Sequence, residues 1–141
     1  MTNIPDIEVR DLSMAYGDFV VQRDLNFTVG KGDIFVIMGG NGCGKTTLMR
    51  ALTGLQQPAS GAVFYGGVDF WSVAPEDQAR MKRRLGIMFQ GGALLDTMTV
   101  YENLAFPLRE RTALNEREIA AWVEETLGAV GLRDADDLLA S

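Results

Sequence analysis

Histidine does not occur in this 141-residue chain, and cysteine occurs once, at Cys43. The first absence removes the commonest general base and metal ligand near neutral pH, and the second excludes an internal disulfide or a cysteine-based structural zinc site. Long apolar runs are also missing. The longest aliphatic stretch falls far short of the roughly 20 residues that span a bilayer, and Met1 to Asp11 carries acids instead of an apolar signal core. Any membrane role therefore needs a partner. Positive charge is scarce, with 13 Lys and Arg against 19 Asp and Glu, and residues 115–141 hold seven acids against two bases. Such a balance offers no nucleic-acid surface, and the one basic cluster, Arg80-Lys82-Arg83-Arg84, reads as the solvated face of a short helix. Repeats and low-complexity linkers are lacking as well. What remains, 47% hydrophobic and 23% charged residues, is ordinary globular usage for a chain long enough to bury a core.

The most informative segment is Gly39-Gly40-Asn41-Gly42-Cys43-Gly44-Lys45-Thr46, which fits G-x-x-x-x-G-K-[ST]. It joins an apolar run, Ile34 to Met38, to a helix-like one, Thr47 to Leu55. Glycine accepts positive φ at no steric cost, so such a loop can curl its amides around an anion. A helix opening near Gly44 directs unpaired N–H groups and a positive dipole end at phosphates, and Lys45 adds a point charge at the β and γ positions. Thr46 is the expected magnesium ligand, with Thr47 beside it. The segment is a Walker A phosphate loop, and nucleotide binding is the expectation.

Along the chain, Ile7 to Val9 with Leu12 to Met14, and then Phe19 to Val29, read as strands, and Ile34 to Met38 reads as the buried strand feeding the loop. Leu48, Ala51, Leu52 and Leu55 share one helical face. Ala62 to Phe64 and Val68 to Phe70 look like short edge strands, Pro75 starts a helix running to about Arg84, and Leu85 to Phe89 returns as a strand. Beyond it, Val100, Leu104 and Leu108 share a helical face that Pro107 interrupts. Asn115 with Glu118 makes a capping-box start for an amphipathic helix lined by Ile119, Trp122, Val123, Leu127 and Val130 and stopped by Gly131.

This order of parts resembles the ATP-binding subunits of ABC transporters over the whole length from Ile7 to Ser141. The resemblance implies an α/β fold: a P-loop NTPase of ABC type with an N-terminal antiparallel β region, a partial RecA-like core and the start of the helical subdomain. Residues 1–90 would be the nucleotide-binding core and 91–141 the beginning of the helical subdomain. Tyr16 stands where the family places an aromatic that stacks on adenine. Gln90, 45 residues beyond Lys45, matches the glutamine whose amide reaches magnesium and the attacking water. The following segment, Gln90 to Glu110 with its Phe106-Pro107-Leu108-Arg109-Glu110 string, is similar to that of the MCE or Mla-type phospholipid transporters.

The family's signature L-S-G-G segment, acidic strand and switch histidine do not occur, and Leu138 to Ser141 resembles the residues just before the signature. The resemblance thus implies the first half of an ATPase subunit, one that binds ATP and Mg2+ but does not turn ATP over by itself. The whole subunit would form a head-to-tail dimer, dock on an integral-membrane permease and work with an MCE-domain lipid-binding protein, with no nucleic acid involved. It would sit in the cytoplasm, peripheral on the inner face of the bacterial inner membrane. The competing classes are another ABC importer or lipoprotein exporter, a non-transport ABC ATPase acting on DNA, and a P-loop kinase.

Overall fold

The computed structural model describes residues 4–132, 135, 137 and 138. They form two compact units, Met1–Ile87 and Met88–Ser141. In the first, β1 (Ile7–Tyr16) turns at Gly17 into β2 (Phe19–Val29), α1 (Lys45–Leu52) follows the phosphate loop, and β3 (Ser60–Tyr65), β4 (Val68–Asp69) and α2 (Pro75–Lys82) complete the order. The four strands make one antiparallel sheet in the order β2-β1-β3-β4. β3 is therefore an interior strand, and only the two-residue β4 lies at that edge.

Strict alternation would put Val9 and Leu12 on opposite faces of β1, yet both are buried with Met14. A bulge reconciles them. Asp11 adopts a φ of 47°, and the register with β2 shifts between Val9 and Leu12. The Asn26 side chain closes on this bulge, accepting from the Asp11 amide and donating to its carboxylate, both at 3.0 Å. Opposite it stands Gly61, at a φ of 83°, where a Cβ would lie 2.3 Å from the Asp11 carbonyl oxygen. The realigned face packs Val9, Leu12 and Met14 with Val63 against Leu48, Ala51 and Leu52 of α1. Each large aliphatic side chain so buried contributes about 1.5–3 kcal/mol.

Three further expectations need correction. Ile34 to Met38 and Leu85 to Phe89 are not strands but irregular chain, with Ile34 94%, Met38 86% and Met88 93% exposed. An apolar run becomes a strand only when a neighbour takes its N–H and C=O groups, and among the described residues neither run has one. Leu55 lies beyond the end of α1 and is exposed.

The second unit is a helical pair, α3 (Val100–Arg111) and α4 (Glu116–Ala129). Ala105, Ile119, Val123 and Leu127 form its buried core, flanked by Val100, Tyr101, Leu104 and Leu108. Both helices open on full capping boxes, Thr99 with Glu102 and Asn115 with Glu118. Pro107 lies inside α3, which continues through it to Arg111. Gly131, at a φ of 78°, follows the α4 cap as expected, whereas Trp122 and Val130 stay largely outside the apolar seam. Of the stretch Leu138 to Ser141, only Leu138 is among the described residues.

Candidate functional site

The phosphate loop leaves the sheet region as irregular chain and closes on α1. Gly42 and Gly44 take left-handed φ values of 78° and 93°, and Gly44 is the N-cap of α1. With Leu48 N–H bonded to the Gly44 carbonyl at 2.9 Å, the amides of Lys45, Thr46 and Thr47 occupy the first turn, where no intrahelical acceptor exists for them. No acid stands in that turn to compete for them. The Lys45 ammonium folds back along the loop and donates to the carbonyls of Gly39 (2.6 Å) and Gly40 (2.7 Å), with Cys43 Sγ 3.6 Å away. Asn41 lies on the exposed outer side. Gly39 packs tightly under Cys43, since a Cβ there would lie 2.4 Å from Sγ.

One group outside the motif touches it, and another touches the residue that follows it. Tyr16, the last residue of β1, is 48% exposed, and its hydroxyl lies 3.4 Å from Thr47 Oγ1 and donates to Gln56 Oε1 at 3.1 Å. The hydrogen bond with Thr47 is the first cause holding this phenol below its ordinary value. From β2, the Gln22 amide donates to the Cys43 carbonyl. Neither Gln22 nor Gln56 belongs to a sequence motif; each meets the loop region only because the β1–β2 hairpin and the chain after α1 fold onto it.

The donor set suits a phosphate anion: convergent first-turn amides, an ammonium and a turn that tolerates only glycine. For a divalent cation, the residues here offer the exposed Thr46 hydroxyl, and among the described residues no group of three or more His, Cys, Asp or Glu side chains could hold one. Any cation would thus share its sphere with phosphate oxygens. Gln90 belongs to the second unit, in an exposed turn preceding Gly91 and Gly92, both at positive φ. No helix among the described residues is long and apolar enough to cross a membrane.

The chain is 40% identical over 135 residues to the intermembrane phospholipid transport system ATP-binding protein MlaF of Haemophilus influenzae, covering 96% of this chain and 51% of that protein. It is 39% identical over 130 residues to the putrescine transport ATP-binding protein PotG of Escherichia coli, covering 92% and 33% respectively. Its fold superposes with a TM-score of 0.81 on CbiO1 of Clostridium perfringens, part of the ABC transporter complex CbiONQ, at 25% identity over 96% of this chain and 54% of that one. The same score relates it to the ATP-binding cassette MJ0796, solved as a dimer bound to ADP and phosphate, at 22% identity over 95% of this chain and 61% of that one. The fold is thus that of part of an ABC-type P-loop NTPase, and the chain spans about half the length of the first curated relative it matches. Residues 22–141 match the model of the ABC transporter family, and together with these relatives they establish that the chain belongs to it.

Proposed function

We propose that the chain binds Mg-ATP through the loop Gly39 to Thr46, with Tyr16 stacking on the adenine, and that it belongs to an ATPase subunit driving a transporter. The observation carrying this reading is the phosphate loop: free first-turn amides at Lys45 to Thr47 beneath the Lys45 ammonium. The amides hold the β- and γ-phosphate oxygens, and Lys45 moves its donors from loop carbonyls to those oxygens. Thr46 would hold a magnesium ion, which would neutralise charge on the phosphate oxygens. In the whole subunit, Gln90 would orient the attacking water. Titrating the chain with a fluorescent ATP analogue, in competition with ATP and with adenosine, tests the binding step. Displacement by ATP but not by adenosine at equal concentration is the expected result, and no binding would refute it.

For the whole subunit, we propose phospholipid transport. The 40% identity to MlaF and the similarity of Gln90 to Glu110 to Mla-type segments support it. The subunit would pair head to tail with a second copy, dock on a permease, act with an MCE-domain lipid-binding protein and lie on the cytoplasmic face of a bacterial inner membrane. The 39% identity to PotG favours putrescine transport as a second reading. Reconstituting the subunit with a permease that binds it separates them: ATP-dependent transfer of fluorescent phospholipid supports the first, and putrescine uptake without lipid transfer supports the second.

A further inference from the structure

We propose that Gln22 is a positioning residue for the phosphate loop, setting from the sheet the direction in which the Gly44 amide points; the inference rests on the ATP-binding reading above. Gln22 lies in β2 opposite Met14 of β1, whose side chain is fully buried, at a pair flanked on both sides by register shifts. Its side-chain amide donates to the carbonyl of Cys43. Among the described residues it is the one side chain from outside the motif that hydrogen-bonds to the backbone of Gly39 to Gly44.

The geometry gives that bond its consequence. In a planar trans peptide the C=O and the following N–H point in opposite directions. Holding the Cys43 carbonyl toward β2 therefore aims the Gly44 N–H away from β2, the side on which the ATP-binding reading puts the anion. A loop carbonyl free to rotate toward that side would instead present a partial negative charge to an anion. Gln22 removes that alternative and satisfies the carbonyl at once. Packing enforces the same placement, because a Cβ on Gly44 would lie 2.7 Å from Val21 Cγ1 and 2.9 Å from Gln22 Cγ. The loop and the strand are thus fitted to each other at van der Waals distance as well as by the hydrogen bond.

The test compares the 141-residue chain with Gln22→Met, which keeps the stem and loses the donor, and Gln22→Glu, which keeps the shape and replaces the donor with a charge facing the carbonyl. Affinity for ATP and for inorganic tripolyphosphate, the rate of Cys43 alkylation by N-ethylmaleimide, and the thermal midpoint are measured on each. Loss of one hydrogen bond to the loop should weaken both ligands by about 2- to 12-fold in Gln22→Met and by more in Gln22→Glu. Cys43 should alkylate faster in both, with the midpoint unchanged. Should Gln22→Met lose its cooperative melt, Gln22→Glu carries the comparison. Equal affinities and equal labelling in all three proteins would overturn the proposal. So would weaker binding that tracks a lowered midpoint with labelling unchanged, which would mark Gln22 as support for the sheet alone. A wild-type chain that binds neither ligand overturns the ATP-binding reading itself, a result distinguishable from either of these.

Discussion

The hydroxyl of Tyr16 is held between Thr47 Oγ1, 3.4 Å away on α1, and Gln56 Oε1, 3.1 Å away beyond the helix end. As Tyr16 donates to Gln56, it accepts from Thr47, so its ring is anchored to the residue that follows Thr46. One half-exposed residue thereby joins the end of β1 to the phosphate-loop helix.

Removing that ring should separate its roles. With a base-stacking contribution of about 1–3 kcal/mol, Tyr16→Ala should weaken ATP binding by roughly 5- to 150-fold and leave inorganic tripolyphosphate affinity nearly unchanged. Tyr16→Phe keeps the stacking face and should lose far less. A parallel loss for ATP and tripolyphosphate in Tyr16→Ala would show that the tyrosine supports the loop rather than the base.

Lys45 is the second handle. Its ammonium already bridges Gly39 and Gly40, so it is within the loop and ready to exchange those carbonyls for phosphate oxygens. Charge-assisted hydrogen bonds of about 1.5–3 kcal/mol make Lys45→Ala roughly 10- to 150-fold weaker for ATP. Titration of both proteins with the fluorescent analogue measures this, and equal affinities would remove Lys45 from the site.

What could be read from the sequence divides along a physical line. The phosphate loop, the Asn115 capping box and the Gly131 stop were legible because each is a local backbone problem with few residue solutions. The bulge at Asp11 was not, since a polar residue inside an alternating pattern looks like an ordinary outward position; its partners, Asn26 and Gly61, are 15 and 50 residues away in sequence. Ile34 to Met38 and Leu85 to Phe89 failed as strands for the opposite reason. Their composition is right, but strand formation depends on a neighbour that no local pattern records. Gln22 and Gln56 meet their partners across 21 and 40 residues, and polar residues at such separations carry no motif to announce them.

Tyr65 offers a pH-dependent check on the first core. Its hydroxyl donates to the Leu52 carbonyl, and burial pushes the phenol from 10.0 up to about 12. Because the folded value lies above the unfolded one, the unfolded chain releases this proton first as pH rises. Tyr65 therefore contributes its full stabilisation below pH 10, and that contribution is lost between pH 10 and about 12. Tyr65→Phe should melt with a shallower pH dependence than wild type across that window. Identical slopes would mean that the phenol is not desolvated.

The Asn115 cap provides a local stability test in the second unit. Asn115 Oδ1 accepts from the amides of Arg117 and Glu118, both at 3.1 Å, and the Glu118 carboxylate returns a bond to the Asn115 amide at 2.8 Å. The box thus pairs two of the amides that begin α4 and fixes the turn that sets Ile119, Val123 and Leu127 into the seam. Replacing an N-cap of this kind with alanine costs about 1 kcal/mol, or roughly a fivefold increase in local opening. Hydrogen exchange on the whole chain reads this directly: in Asn115→Ala, the amides of α4 should exchange about fivefold faster, while those of β1 stay unchanged. Asn115→Asp keeps an acceptor and adds a charge suited to the helix N-terminus, so it should restore wild-type protection. If α4 exchanges equally fast in wild type and Asn115→Ala, the cap contributes nothing and the seam alone holds the helix.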